Sequence, residues 1–243
     1  MKKLFYYLFA ATLFCGFVAC DEFEPNYEPE EEEVVKPDDD GREEEVVKPD
    51  DGKEDDKLEF DYDYYAVDLG LSVKWAICNV GAYRPEDCGS YFAWGETAEK
   101  SNYTIQNSIT TGECLSDIDG DIQYDAARAN WGGKWRMPTH KECQELKDKC
   151  TWTDMTKNGT KGVEVKGPNG NSIFLPLTGH KHGKYRTLKD MGFYWSSTPY
   201  DSCSEAYMLN FTCSEYSDEY IVHDNECRDM GHCVRPVVNK DEC

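Results

Sequence analysis

The sequence predicts an α+β domain built mostly of short antiparallel strands, with two central helices and long loops. Short apolar or aromatic stretches recur along residues 58–243, and turn signals such as Asn158-Gly159 and Pro168-Asn169-Gly170 lie between them, as expected for many short strands. Two helix starts, at Asp125 and Thr139, come together in the middle of the chain. Because helices and strands do not alternate, an α+β arrangement is favoured over repeated βαβ units.

Both helix predictions rest on the stretch DAARANWGGKWRMPT. Asp125 can cap a first helix through its carboxylate. The pair Gly132-Gly133 can end that helix, because glycine adopts positive φ at little cost. Thr139 followed by Glu142 is a capping box, which predicts a second helix that reaches Cys150.

Apolar and aromatic patterns predict strands on both sides of the helices. The predicted strands cover residues 64–68, 73–78, 89–94, 163–166, 172–175, 192–197, 205–211, 219–223 and 232–238. Trp135 and Met137 alternate with charged neighbours, Lys134 and Arg136, and predict one more half-buried strand. Residues 95–124 have no hydrophobic period, so we expect a long surface loop there.

The N-terminus has the features of a secretory signal. The pair Lys2-Lys3 precedes an apolar run that is too short to be read as a membrane span. The run ends in Phe17-Val18-Ala19-Cys20, which resembles a bacterial lipobox. On this interpretation residues 1–19 are removed and Cys20 is lipidated, and several acyl chains anchor the protein stably. The alternative is an ordinary signal peptide with a chance cysteine.

Residues 20–57 are predicted to be a disordered acidic linker that follows the anchor. The stretch 21–57 contains 19 acidic and 5 basic residues, and EEEVVKPDDDG at 31–41 recurs as EEEVVKPDDG at 43–52. Such a charged repeat buries no core and stays extended. We expect it to act as a spacer between the membrane and the domain. The alternative is a weak cation-binding strip.

The charge balance of the chain excludes several partners. The net charge is −22. A nucleic-acid-binding protein needs a basic face for phosphate contacts, and an anionic membrane surface would repel so acidic a domain. We therefore expect no nucleic-acid partner, and a membrane contact that is made through the lipid anchor. Residues 58–243 are long enough for one domain with a sizeable core.

Six motifs occur in one order and together resemble a known family. They are VDLGLSVKWAICNVGA (67–82), YFAWGET (91–97), YDAARANWGGKWRMPT (124–139), NGNSIFLPLTG (169–179), YWSSTP (194–199) and GHCVRPVV (231–238). In combination they are similar to the Fibrobacter succinogenes major paralogous domain, which is common in Bacteroides-type surface lipoproteins. The resemblance covers residues 64–238. It implies a C-type lectin-like fold, distantly related to the formylglycine-generating enzymes, and a place at the cell surface, but no particular ligand.

Cysteines are frequent in the predicted domain. The chain has 12 cysteines, and all except Cys15 and Cys20 lie within residues 58–243. An even number in an exported domain predicts disulfides but leaves many pairings open. The candidates are Cys203 and Cys213, which bracket one predicted strand, and Cys227 and Cys233, which bracket one turn. The alternative is that several are buried thiols. The absence of a CxxC pair argues against a structural zinc site.

An acidic turn provides a candidate calcium site. Asp117, Asp119 and Asp121 alternate around Gly120, and oxygen ligands on a tight turn suit calcium. The spacing does not match an EF-hand, so the alternative is a solvated acidic turn before a capped helix. We expect no other cofactor.

Residues 177–189 form a Gly- and Lys-rich loop that we expect to be a recognition surface. It contains His180, His182, Tyr185 and Arg186. Loops on a rigid scaffold carry binding residues more often than strands do. Two histidines at i and i+2 can also share a metal ion, but no third ligand is evident nearby.

The sequence predicts a protein that is not an enzyme. It contains no G-x-S-x-G elbow, no P-loop and no HExxH motif. We expect a non-catalytic binding or adhesion module, exposed outside the outer membrane, that contacts a glycan or a protein. One alternative is a structural subunit of an envelope or fimbria-like assembly. Another is a relative of the formylglycine-generating oxidases that uses Cys227 and Cys233.

Overall fold

Short antiparallel strands form most of the regular structure. The computed structural model describes residues 65–213 and 221–240, and this part contains two α-helices and eleven strands. All of it belongs to the unit Asp56–Cys243. The mixed α+β class predicted from the sequence is confirmed. The signal region, Cys20 and the acidic linker, predicted within residues 1–57, lie outside the described residues.

The helices and strands follow one another along the chain without a repeating unit. They are β1 (Ala66–Asp68), β2 (Val73–Ala76), a 3-10 turn (Ile105–Asn107), α1 (Ala126–Trp131), α2 (His140–Lys149), β3 (Thr151–Lys157), β4 (Thr160–Lys166), β5 (Ser172–Pro176), β6 (His180–His182), β7 (Tyr185–Thr187), β8 (Met191–Pro199), β9 (Glu205–Thr212), β10 (Ile221–Cys227) and β11 (Val237–Asn239). Within the described ranges the strands pair antiparallel in four sheets, ordered β1-β2-β11, β10-β9-β8, β3-β4-β5 and β6-β7.

Both helices begin and end at the predicted capping residues. Asp125 Oδ1 accepts a hydrogen bond of 2.9 Å from a backbone N–H in the first turn of α1, and Gly132 ends that helix at φ 69°. Thr139 and Glu142 form the capping box of α2, and Cys150 is its C-cap. The two helix predictions are therefore confirmed. Neither helix of the described chain is long and apolar enough to cross a membrane.

The strands predicted at 89–94 and 232–238 meet as isolated bridges and do not form a ladder. Phe92 bridges His232, and only the end of the second stretch joins a sheet, as β11. The prediction of a strand at 89–94 is wrong. The backbone around His232 hydrogen-bonds to several different segments of the chain. Each segment makes only one or two of these bonds, which is too few for a continuous ladder.

Arg136 is buried, which corrects the prediction of a half-buried strand around it. It forms one bridge, with Val237, and its Nη2 lies 2.6 Å from Glu142 Oε1. The carboxylate partner allows a cation at an inward position. Residues 95–124 are irregular as predicted, yet Tyr103 and Thr110 within this segment are buried.

Three strands, β3, β6 and β7, have no counterpart in the sequence-based expectation. β3 is mostly exposed and rich in threonine, and β7 is fully exposed. Each pairs with an antiparallel neighbour and buries at most one residue of its own. Apolar alternation therefore gives no signal for them. The other predicted strands are present with shifted ends.

Residues 228–236, which we call the central segment, connect the parts of the domain. All of them except Met230 are buried. The backbone of the segment hydrogen-bonds in turn to residues 92–94, to β6, to β8 and to the loop that follows β2. One extended stretch thus holds four separate parts of the chain together.

Arg235 extends from the central segment into irregular backbone. Its guanidinium donates hydrogen bonds to the carbonyl oxygens of Ala76, Ile77 and Phe174 at 3.0, 2.8 and 3.0 Å. Its Nε donates to Asn79 Oδ1 at 2.7 Å. The side chain is fully buried, and burial lowers its pKa. Backbone carbonyls thereby solvate a cation that lies in the core.

Arg228, at the other end of the central segment, has a similar environment. It donates to the carbonyl oxygens of Glu205, Thr110 and Glu113 at 3.0, 3.1 and 2.7 Å. The guanidinium carbon lies 4.1 Å from the ring centroid of Trp94, a cation–π contact. Arg228 therefore fixes the irregular segment 95–124 against the β8–β9 sheet.

Candidate functional site

The β6–β7 hairpin contains the residues predicted to form a recognition loop. His180 pairs with Thr187, and His182 pairs with Tyr185. Gly183 makes the turn at φ 57°, where glycine is favoured. The expectation of an irregular loop is therefore corrected: the four predicted residues lie on paired strands.

Two backbone bridges hold the hairpin against the domain. Lys181 exchanges two hydrogen bonds of 2.8 Å with Gly231 of the central segment, and Gly183 exchanges two of 2.8 Å with Tyr103. A Cβ atom on Gly231 would come within 2.7 Å of the Tyr103 ring, so this close approach requires glycine. The hairpin has a defined orientation on the domain as a result.

The hairpin and the turn after it expose aromatic, aliphatic and basic side chains. Tyr185 is 75% exposed and Leu188 is 54% exposed. His182, Lys184 and Lys189 are exposed as well. A large aromatic ring that is exposed on a rigid, charged element is typical of a binding surface.

Arg186 lies at the base of the hairpin. Its Nε donates to the Thr178 carbonyl at 2.6 Å, and its Nη2 donates to the Leu177 carbonyl at 3.3 Å. The same Nη2 lies 3.3 Å from Cys88 Sγ. The guanidinium also lies 5.9 Å from the ring centroid of Tyr91. Arg186 thus fixes the hairpin while it remains at the surface.

The hairpin region is basic although the chain is acidic. The basic residues are Lys181, Lys184, Arg186 and Lys189, and residues 181–189 contain no acidic residue. Lys181 Nζ lies 3.2 Å from Glu99 Oε1 and 4.7 Å from the Tyr91 ring centroid. The local positive charge contrasts with a net charge of −22 for the whole chain. An anionic group would therefore be attracted to this part of the surface.

His180 lies on the inner side of the hairpin, in a buried aromatic group. Its ring centroid is 4.8 Å from that of Phe193 and 5.8 Å from that of His232. His232 is fully buried and stacks on Trp195 at 4.0 Å. His180 Nδ1 and both ring nitrogens of His232 have no hydrogen-bond partner within residues 65–213 and 221–240.

Burial changes the protonation of both histidines. Burial lowers the pKa of His180 to about 4, with a smaller contribution from the nearby His182. Burial holds the pKa of His232 well below its usual value, with a smaller contribution from His180. Both rings are therefore neutral at pH 7. His182, by contrast, is exposed, so the two histidines of the predicted metal pair have different environments.

The three aspartates predicted as a calcium site are engaged separately. Asp117 Oδ2 accepts a hydrogen bond of 2.7 Å from Thr198 Oγ1, and Asp121 Oδ1 accepts one of 2.9 Å from a backbone N–H. Asp119 Oδ2 lies 3.8 Å from Arg136 Nε. Burial and the neighbouring Asp117 raise the pKa of Asp119. Within the described ranges no group of three or more His, Cys, Asp or Glu is arranged to hold a metal ion.

The structure contains a disulfide between Cys114 and Cys203. It joins segment 95–124 to the connection between β8 and β9. Cys203 is therefore not bonded to Cys213, although the two bracket β9. A strand of 8 residues keeps its ends about 26 Å apart, so bracketing a strand prevents a bond between the two cysteines.

The other three candidate cysteines lie at different depths. Cys213 is buried at the end of β9, and its thiol donates to the Gly162 carbonyl at 3.9 Å. Cys227 is half-buried at the end of β10, and Cys233 is a fully buried thiol in the central segment. Cys227 and Cys233 are not joined to each other.

The sequence does not indicate that three other residues, Cys88, Tyr91 and Thr178, lie at the base of the hairpin. Tyr91 reaches the hairpin through a hydrogen bond of 2.5 Å from its hydroxyl to the Thr178 carbonyl, across a long separation in the chain. Only the run of basic residues is visible in the sequence as a local pattern.

No family model, curated protein or solved structure matches this chain.

We predict that the chain loses stability as the pH falls below about 6.5, the ordinary pKa of histidine. A buried histidine with a lowered pKa binds its proton only after unfolding, so acid favours the unfolded state. His232→Phe removes the proton uptake of this histidine on unfolding. The unfolding free energy of the variant minus that of the unsubstituted chain should therefore increase by about 2 kcal/mol as the pH falls from 7 to 5. The measurement is urea unfolding at each pH.

His182→Phe, at an exposed histidine of the β6–β7 hairpin, is the control. It should change the pH dependence much less than His232→Phe does, because His182 acts on it only as the smaller cause of the lowered pKa of His180. Equal slopes for His232→Phe and the unsubstituted chain would show that His232 is not the buried group responsible.

Proposed function

We propose that this chain is a lipid-anchored lipoprotein of the outer membrane, exposed at the cell surface, and that its domain is a non-catalytic binding module. The signal, the Cys20 motif and the acidic linker support the location. Short antiparallel strands with two helices are compatible with a C-type lectin-like fold, to which the six ordered motifs also point.

The observation that carries the binding proposal is the β6–β7 hairpin. It is fixed by backbone bridges to Gly231 and Tyr103, and it exposes Tyr185 and Leu188. A surface that is already ordered loses little conformational entropy when a ligand binds. Tyrosine gives a large contact area at a small entropy cost. These are properties of a recognition element.

The charge of the hairpin indicates the class of ligand. Lys184 and Lys189 are exposed, and Arg186 is at the surface as well. Ammonium and guanidinium groups bind carboxylate, sulfate and phosphate groups. We favour an anionic glycan, because an exposed Tyr185 ring provides a flat apolar face beside the cations. An acidic protein ligand is the other outcome that the binding experiment resolves.

We predict that Cys20→Ala moves the protein from the membrane fraction to the soluble fraction. Without the Cys20 thiol, acyl chains have no attachment point, and an acidic chain is repelled by an anionic membrane surface. Cell fractionation with immunodetection measures this. Cys15→Ala, inside the apolar run, is the matched control and should leave the protein with the membrane. Membrane retention of Cys20→Ala would refute lipidation at this position.

We predict that the purified mature chain binds heparin, a sulfated glycan, through the hairpin. The double variant Lys184→Glu/Lys189→Glu should weaken binding at least about tenfold, or about 1.4 kcal/mol. Tyr185→Ala should weaken it further. Calorimetric titration at two salt concentrations should also show weaker binding at high salt, because ions screen exposed charges.

Lys141→Glu/Lys166→Glu is the matched control, since both lysines are exposed on other elements, α2 and β4, and the net charge changes equally. Equal loss of binding in the control would mean that overall charge, not the hairpin, attracts the glycan. Binding of acidic proteins but not of heparin would assign the site to a protein ligand.

A further inference from the structure

Two thiols lie beside the base of the hairpin. Cys88 is half-buried and precedes the turn at Gly89, and Cys233 is fully buried in the central segment. They are far apart in the sequence. Neither belongs to the disulfide between Cys114 and Cys203.

Both cysteines contact a polar cluster around Thr178. The Thr178 carbonyl accepts hydrogen bonds from the Tyr91 hydroxyl at 2.5 Å and from Arg186 Nε at 2.6 Å. Arg186 Nη2 in turn lies 3.3 Å from Cys88 Sγ. Cys88 is therefore on the side of the cluster that faces the hairpin.

Cys233 contacts the other side of the same cluster. The Phe193 N–H donates to Thr178 Oγ1 at 2.9 Å, and the Cys233 N–H donates to the Phe193 carbonyl at 3.2 Å. Burial raises the pKa of the Cys233 thiol, and Cys88 is the next largest cause. Burial also raises the pKa of Tyr91, with smaller contributions from Cys233 and Cys88. The Cys233 side chain also hydrogen-bonds Thr178, and the Cys88 side chain hydrogen-bonds Tyr91. Both thiols therefore belong to the cluster around Thr178.

We propose that Cys88 and Cys233 are a redox-active pair that closes to a disulfide when the exported chain meets a disulfide oxidant. The oxidant is a small-molecule or protein disulfide, the class that acts in oxidising compartments. This proposal is independent of the binding function of the hairpin.

The reaction proceeds by two thiol–disulfide exchanges. The Cys88 thiolate attacks one sulfur of the oxidant, forms a mixed disulfide and releases one thiolate, which takes up the proton that Cys88 lost. The Cys233 thiolate then attacks the Cys88 sulfur, forms the Cys88–Cys233 bond and releases the second thiolate, which takes up the proton from Cys233. The two protein thiols lose two electrons, and the oxidant is reduced to two thiols.

The structure assigns the order of the two steps. Cys88 is the more accessible thiol, and its Sγ lies 3.3 Å from Arg186 Nη2 at the surface. Cys233 is buried and has a raised pKa, so it forms the attacking thiolate slowly. The mixed disulfide at Cys88 therefore precedes the internal bond.

The disulfide would change the base of the hairpin. It would bond the turn at Gly89 covalently to the central segment. It would also convert the Cys88 thiol that Arg186 Nη2 now contacts into a disulfide sulfur. Oxidation thereby ties one more irregular stretch to the segment that supports β6.

Peptide mapping of the mature chain tests the proposal. The reduced chain is incubated with oxidised glutathione, alkylated and digested without reductant. We expect a linked peptide pair that contains Cys88 and Cys233 and has lost two hydrogen atoms, preceded in time by glutathione on Cys88. Cys88→Ser should abolish the pair and leave Cys233 alkylated after denaturation. Cys150→Ser, at another half-buried cysteine, is the matched control and should leave the pair in place.

The mapping of the unsubstituted chain decides the proposal even if a variant fails to fold. Recovery of Cys233 as a thiol, with Cys88 either a thiol or a stable glutathione adduct after prolonged oxidation, would overturn it. A bond from Cys88 or Cys233 to a different cysteine would overturn it equally.

Discussion

The guanidinium group of Arg235 makes the interaction on which the rest of the domain depends. It is fully buried, and it donates to carbonyl oxygens at the end of β2 and in β5, as well as to the side chain of Asn79. Burying a cation is costly unless its donors are satisfied. These acceptors lie in different sheets, so the sheets β1-β2-β11 and β3-β4-β5 must come together for the charge to be solvated. The hydrogen bonds that Arg235 needs therefore specify how these two sheets meet.

The surface features follow from the same segment of chain. Arg228 and Arg235 fix its two ends, and Gly231 between them bonds to β6. A hairpin of three-residue strands would be only marginally stable alone. On this domain it inherits its order from the central segment, and it can therefore hold Tyr185 and its basic neighbours outside the core. Cys233 belongs to the same segment, which is why a bond to Cys88 would reinforce the support of the hairpin.

Local signals in the sequence were sufficient for the features that local chemistry determines. The caps at Asp125 and Thr139 are found where predicted, because a side chain and a backbone N–H a few residues away form them. Most of the predicted strands are also present with shifted ends, but those at 89–94 and around Arg136 are only isolated bridges. The central segment could not be predicted, because its bonds go to residues far away in the chain. The burial of Arg136 could not be predicted for a similar reason. It depends on the carboxylate of Glu142, and a pattern of apolar and polar residues does not show that pairing. The basic run of the hairpin was visible, but not its pairing or its contact with Cys88.

The unfolding free energy of Arg235→Met in urea tests the role of this guanidinium most directly. Methionine keeps much of the apolar volume but has no donors, so up to four buried acceptors lose their partner at about 1–3 kcal/mol each. We expect a loss of at least about 3 kcal/mol, up to complete failure to fold. Arg84→Met, at a side chain that is 68% exposed, should leave the stability nearly unchanged. A loss below about 1 kcal/mol for Arg235→Met, within the range of one ordinary hydrogen bond, would contradict the central role of this guanidinium.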